Sequence, residues 1–195
     1  MKFLLAALMF AATAALAGTV GKPAPEFTLN DLSGKPVKLA DFRGRHVVLE
    51  WVNPECPYVQ KHYDSANMQS LQRDYTGQKV AWLTINSTNA GHSEFYPPQK
   101  MAAWMKEMKA APSATLLDPT GKVGRAYNAR TTPHMYIIDP QGKLVYAGGI
   151  DDKRSTSQAD VKTAKNYVRA AMGEALAGKP IGDASTRPYG CSIKY

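Results

Sequence analysis

Cys56 and Pro57 directly follow an apolar run over residues 46–52 and lead into a stretch of helix-forming character. Unpaired backbone N–H groups and the helix dipole favour negative charge at a helix start. A thiolate is the attacking form of cysteine, so such a handover suits a nucleophilic sulfur. Pro57 fits the first helical position, where no needed donor is lost. The alternative is a buried, inert cysteine, the usual fate of a free thiol. Three positions on, where a Cys-x-x-Cys pair would carry its second thiol, stands Val59. The chain has 2 cysteines, and the other is Cys191, in the C-terminal tail.

Glu50 interrupts the same apolar run. A carboxylate buried in such a strand has a raised pKa and can act as a general base near neutral pH. An acid exposed on a partly covered strand is the competing reading. Thr132-Pro133 precedes another apolar run over residues 134–139, with His134 next to it. His134 fits the neighbourhood of a thiol, a core or a surface equally well. A metal site is not expected. His62 lies six residues from Cys56, about 600° of helical turn and so off its face. His46, His92 and His134 are scattered, and no Cys-x-x-Cys metal spacing exists. No cofactor is expected either.

Positioning these groups requires strands and helices in a definite order. Residues 26–30 and 36–39 read as a hairpin around Ser33-Gly34-Lys35. Residues 46–52 form a strand covered on both faces, because the run is nearly all apolar. A helix follows from Pro57 to about Tyr75, ending near Gly77; a second buried strand spans 79–85. Strand, helix, strand is the crossover unit of a parallel sheet. Residues 86–98 form a loop, 101–108 a helix, 114–117 a short strand and 121–127 a short helix. Residues 134–139 and 143–147 flank Pro140-Gln-Gly142 as a hairpin. The last helix is expected over 158–177, with Ala164, Tyr167, Val168, Ala171, Met172 and Ala175 at helical spacing. Residues 179–195 are a tail. This order is an α/β fold with a central mixed sheet.

The first 17 residues carry Lys2, an apolar core and an Ala15-Leu16-Ala17 end, a secretory signal expected to be cleaved after Ala17. A membrane anchor is the weaker alternative, and nothing later is apolar enough to span. The expected organisation is a signal at 1–17, one domain at 18–178 and a tail at 179–195 that carries Cys191. The expected location is periplasmic or secreted, with no stable membrane span after cleavage. Two cysteines suit an oxidising compartment. The net charge of +8 is spread along the chain without a basic block interleaved with aromatics, so nucleic acid is not an expected partner.

Three segments together carry a family resemblance: Val20-Gly-Lys-Pro-Ala-Pro-Glu-Phe-Thr-Leu29, the Cys56 segment, and Thr131-Thr-Pro-His-Met-Tyr-Ile-Ile-Asp139. The chain resembles the thioredoxin-like redoxins of AhpC/TSA type, the superfamily that includes peroxiredoxins. Within it, Asn53-Pro-Glu-Cys-Pro-Tyr-Val59 and Gly190-Cys-Ser-Ile-Lys194 are similar to a peroxiredoxin-like group with an Asn-x-x-Cys-Pro segment and a late Gly-Cys-Ser-x-Lys tail. The resemblance implies a thioredoxin-like fold with a central mixed sheet flanked by helices, an N-terminal hairpin and a C-terminal tail. It also gives Cys56 the place of the attacking cysteine, Glu50 the place of a buried proton-taking carboxylate, and Thr132-Pro133 the place of a substrate-facing cis-proline. Pro57 and Asn53 flank the same substrate site. True peroxiredoxins carry Pro-x-x-x-Thr-x-x-Cys, whereas this chain has Leu49 and Asn53 at those two positions.

The expected activity is therefore thiol–disulfide exchange on a protein or small-molecule substrate, with Cys56 attacking, Cys191 resolving and a separate reductant regenerating the pair. Three alternatives stand beside it: a thiol-dependent peroxidase, an inert domain with a structural Cys56–Cys191 bridge, and a metal-handling domain. As a staple, that bridge would stabilise the fold by roughly 4–5 kcal/mol in the chain-entropy model.

Overall fold

The computed structural model describes residues 18–195, so the signal expected over residues 1–17 lies outside it. The described residues build a seven-stranded sheet, two strands that pair separately, and five α-helices. β3 (Val47–Trp51) is buried at every residue: its apolar side chains require cover on both faces, and Glu50 is buried with them. Parallel to it lies β4 (Ala81–Asn86), and parallel to that β5 (Ala114–Leu117). β7 (His134–Ile138) runs antiparallel on the other flank of β3, pairing Trp51 with His134. β8 (Leu144–Gly148) forms the outer edge next to β7. The N-terminal hairpin, β1 (Thr28–Asp31) and β2 (Pro36–Lys38), extends the opposite edge through β5. The sheet is therefore mixed, in the order β2-β1-β5-β4-β3-β7-β8.

Both faces of the sheet are covered. Because strand side chains alternate, Val48, Glu50 and Val52 point to one face and Leu49 and Trp51 to the other. The first face packs under α1 (Pro57–Asp64), α2 (Asn67–Thr76), α3 (Pro98–Glu107) and α5 (Tyr167–Leu176) through Val59, Leu71, Met101 and Met172. The second packs around Tyr127, which follows α4 (Lys122–Ala126), and its ring meets those of Trp51 and Tyr136.

Two helices differ from the sequence expectation. The stretch expected to be one helix from Pro57 to Tyr75 breaks at Ser65–Ala66, where Ala66 takes a left-handed φ of 58°. Apolar spacing continues through the break, which is why periodicity alone misses it. A non-glycine residue in this region is strained. Ala66→Gly should therefore raise stability by about 0.5–1 kcal/mol, after allowing for the greater freedom glycine has when unfolded. A shift of the urea midpoint at unchanged slope checks it. Apolar spacing predicts the last helix from residue 158. Instead, residues Gln158–Lys162 form a 3-10 turn, and α5 starts at Tyr167. Asn166 caps it, its Oδ1 accepting from Arg169 N at 2.9 Å. The backbone before α5 is diverted to β8's exit, with Tyr167 N donating to Ile150 O. Ala164 is thus outside any helix, while Val168, Ala171 and Met172 are buried as their spacing suggests.

Candidate functional site

The nucleophile position is made by the exit of β3. After Trp51 the chain turns through Asn53, with Cys56 N donating to Asn53 O at 3.0 Å and Glu55 N to Asn53 Oδ1 at 3.0 Å. Cys56 is the N-cap of α1 and Pro57 its first residue. Val59 N and Gln60 N both donate to the Cys56 carbonyl, which locks the cysteine into the first turn. Val59 itself is sealed in the core. Cys56 is only 1% exposed.

Across from it runs β6 (Thr131–Thr132), joined to β7 by a cis Thr132–Pro133 bond. The Cys56 thiol donates to the Thr132 carbonyl at 3.0 Å. Among the described residues β6 pairs only with β9 (Cys191–Ser192), in the tail, and sets Thr132 opposite Cys191. The Cys191 backbone N–H then donates to Cys56 Sγ at 3.4 Å. The two cysteines, 135 positions apart, thus meet at one residue of β6. Gly190 makes this approach possible. Its φ is +139°, and a Cβ there would lie 2.0 Å from the Thr132 carbonyl oxygen. No side chain passes at that distance, so the glycine before Cys191 is a steric requirement.

The tail is fastened along its length. Thr186 N donates to Ala147 O beside β8, Ile193 N to Arg130 O, and Asn89 N to Lys194 O. Tyr195 OH donates to Ala129 O at 2.7 Å. Cys191 is part-buried, and both sulfurs are free thiols. Burial first, and then its interaction with Cys56, pushes the Cys191 thiol up, so it keeps its proton at neutral pH.

Glu50 is fully buried on the face covered by α1 and α2, which removes the exposed-acid alternative. Its Oε1 accepts from Tyr63 OH at 2.7 Å. Its Oε2 accepts from Trp82 Nε1 at 2.7 Å, Gln72 Nε2 at 3.0 Å and Thr84 Oγ1 at 3.1 Å. Burial raises its pKa, and the four donors oppose that without cancelling it. Such a carboxyl can take up a proton closer to neutrality than an exposed one.

Asn53, also buried, is committed to the loop. Its Nδ2 donates to Glu94 Oε2 at 2.6 Å, and the other Glu94 oxygen lies 3.8 Å from Lys194 Nζ. Tyr96 OH donates to Glu55 Oε1 at 2.7 Å. The loop over residues 87–97 is thereby tied to both the nucleophile turn and the tail. Glu94 and Tyr96 carried no recognisable signal in the sequence, since their partners are over 40 positions away. His134 is a buried residue at the head of β7. Its Nδ1 accepts from Arg130 N at 3.2 Å, and its ring packs on Tyr136. His62 bonds to Tyr189 and Asn67. Among the described residues, no group of three or more His, Cys, Asp or Glu could hold a metal ion. Among the same residues, no helix is long and apolar enough to cross a membrane.

A cysteine capping the first helix after a central parallel strand, facing a cis-proline at the head of an antiparallel one, defines a thioredoxin-like fold. Residues 20–147 match the AhpC/TSA family, and the chain belongs to that family. It is 27% identical over 143 residues to "Thioredoxin-like protein YneN" of Bacillus subtilis, covering 72% of this chain and 79% of that one. It is 25% identical over 126 residues to "Thiol-disulfide oxidoreductase ResA" of Bacillus thuringiensis subsp. konkukian, covering 65% of this chain and 67% of that one. A crystal structure of an uncharacterized conserved protein from Geobacillus kaustophilus superposes with a TM-score of 0.78 at 30% identity, covering 91% of this chain and 93% of that one.

Proposed function

We propose that the protein is an exported thiol–disulfide oxidoreductase in which Cys56 attacks the substrate and Cys191 resolves the intermediate. The observation that carries this reading is the 3.4 Å approach of Cys191 N to Cys56 Sγ across Thr132. The similarity to a relative named as a thiol-disulfide oxidoreductase supports the reaction class.

The exchange balances in two steps. The Cys56 thiolate attacks one sulfur of a substrate disulfide; the substrate S–S bond breaks, a mixed disulfide forms, and the first substrate thiolate leaves and takes a proton. Cys191 then gives up its proton and attacks Cys56 Sγ. The mixed disulfide breaks, the Cys56–Cys191 bond forms, and the second substrate thiol leaves. Two electrons pass from the protein dithiol to the substrate, and an external dithiol restores the reduced pair. Thr132, whose carbonyl meets the Cys56 thiol, and its neighbour Pro133 shape the substrate's approach together with Pro57, the residue after Cys56. Asn53 holds the turn. Glu50 is the proton acceptor for the buried site. Export rests on the signal read at residues 1–17. The leucine and asparagine at 49 and 53, in place of the peroxiredoxin pair, weigh against peroxide as the main oxidant.

Cys191→Ser tests the assignment. With a protein disulfide as oxidant, this variant should accumulate a covalent adduct on Cys56 whose lifetime is at least about tenfold that in the unchanged protein. Non-reducing electrophoresis and mass spectrometry read it. An adduct no longer-lived than in the unchanged protein removes Cys191 from the reaction. Peroxide consumed faster than the disulfide would turn the assignment to a peroxidase.

A further inference from the structure

The reaction above does not use a buried polar cluster that grips the tail two residues before Cys191. Tyr189 is 6% exposed. Its hydroxyl donates to Asp151 Oδ1 at 2.5 Å and lies 3.1 Å from His62 Nε2 and 3.4 Å from Lys61 Nζ. Its ring meets Tyr58 edge-on at 5.8 Å. Lys61, His62 and Asp151 are themselves almost wholly buried. Lys61 Nζ donates to the Lys153 carbonyl at 2.7 Å and faces Asp151 Oδ2 at 3.5 Å. Asn67 Nδ2 sits 2.9 Å from His62 Nδ1, an arrangement that leaves the ring proton on Nε2, towards the Tyr189 oxygen.

The cluster joins three parts of the chain: Lys61 and His62 on α1, the helix that Cys56 caps; Asp151 in the exit from β8; and Tyr189 in the tail. Buried ion pairs add little net stability compared with apolar packing of the same volume. What such a group does strongly is penalise the loss of a partner, because an unmatched buried charge is costly. Here the partner supplied by the tail is one hydroxyl. Beyond it, Gly190 can only pass against the Thr132 carbonyl, so the seat of Tyr189 dictates the seat of Cys191. With the tail so docked, Cys191 N lies against Cys56 Sγ and Cys56 is 1% exposed.

We propose that Tyr189 is a positioning residue: the Lys61–His62–Asp151 cluster holds its hydroxyl as a latch that seats Cys191 on Cys56 and closes Cys56 from solvent. A substrate disulfide then reaches Cys56 with the latch open, and resolution follows when it closes. The second half of this statement rests on the resolving role proposed for Cys191; the first half does not.

The test uses the full-length reduced protein. Tyr189→Phe keeps the ring and removes the hydroxyl. Alkylation of Cys56 by iodoacetamide, followed by peptide mass spectrometry, should speed up at least about tenfold, the effect of one charge-assisted hydrogen bond. Decay of the mixed disulfide should slow by a similar factor. Amide exchange protection of β3 should stay unchanged, which a general loosening of the fold would not allow. Gly190→Ala, which leaves the cluster intact and drives the tail from Thr132, should reproduce all three results. Unchanged Cys56 alkylation in Tyr189→Phe overturns the latch, as does a parallel loss of β3 protection. Faster alkylation in both variants, together with unchanged mixed-disulfide decay in Cys191→Ser, supports the latch as a cover and overturns the resolving role.

Discussion

Cys56→Ser should lower disulfide-exchange turnover at least about a thousandfold, because a serine hydroxyl is not ionised near neutral pH and cannot replace a thiolate at sulfur. The chain has 2 cysteines, so no third thiol can substitute. Cys191 is a poor stand-in, since burial and its neighbour hold it protonated. The serine hydroxyl can still donate to the Thr132 carbonyl, so the fold and the docked tail should survive. Turnover of a model disulfide, with far- and near-ultraviolet circular dichroism unchanged, reads the result. Retention of a tenth of the activity would move the chemistry away from Cys56.

The second large effect is on stability in acid. His62 and His134 are both buried, and both have pKa values lowered to about 3: by burial first, and then by Lys61 for His62 and Arg130 for His134. An unfolded histidine titrates near 6.5, so between about 3 and 6.5 the unfolded chain binds more protons than the folded one. Stability is therefore fully present above pH 6.5 and is lost as pH falls, at about 1.4 kcal/mol per pH unit for each histidine. Glu50 acts with the opposite sign. Its raised folded pKa means the folded state holds the extra proton above the ordinary glutamate value, so its contribution grows as pH falls towards 4.5. The net loss between pH 6.5 and 4.5 should then be about 1.4–2.8 kcal/mol per unit. Urea unfolding at pH 7, 6 and 5 measures it. His62→Gln and His134→Gln should each remove one share of the slope. A flat profile would mean that neither imidazole is held neutral in the folded protein.

Much of the site was legible because its signals are local. The apolar run ending before Cys56-Pro57 requires a buried strand and then a helix start, and a helix start favours charge on its cap. Leu49 and Asn53 stand where the resemblance to peroxiredoxins would place a proline and a threonine. Glu50 was ambiguous, because an acid in a fully apolar strand does not reveal which layer covers it. Only Tyr63, Gln72, Trp82 and Thr84, brought from α1, α2 and β4, turn it into a buried hydrogen-bonded carboxyl. The helix break at Ala66 was hidden because apolar spacing persists through it. Asn166, by contrast, is a strong capping residue whose signal was present and outweighed by the spacing around it.

By itself the sequence determined the order of the main strands and helices, though not the break at Ala66 or the β6–β9 pair, together with the mixed sheet and the placing of one sulfur at the mouth of β3. Each of these follows from neighbours within about a dozen positions, through periodicity, capping and turn chemistry. The tertiary structure alone decided that Cys191 lies against Cys56, that Gly190 must be glycine, and that Tyr189 meets Asp151, His62 and Lys61. Those contacts join groups 38 to 135 positions apart. Short-range physics has no hold on such distances; they are set by which edges and cavities the packed sheet leaves for a tail to fill.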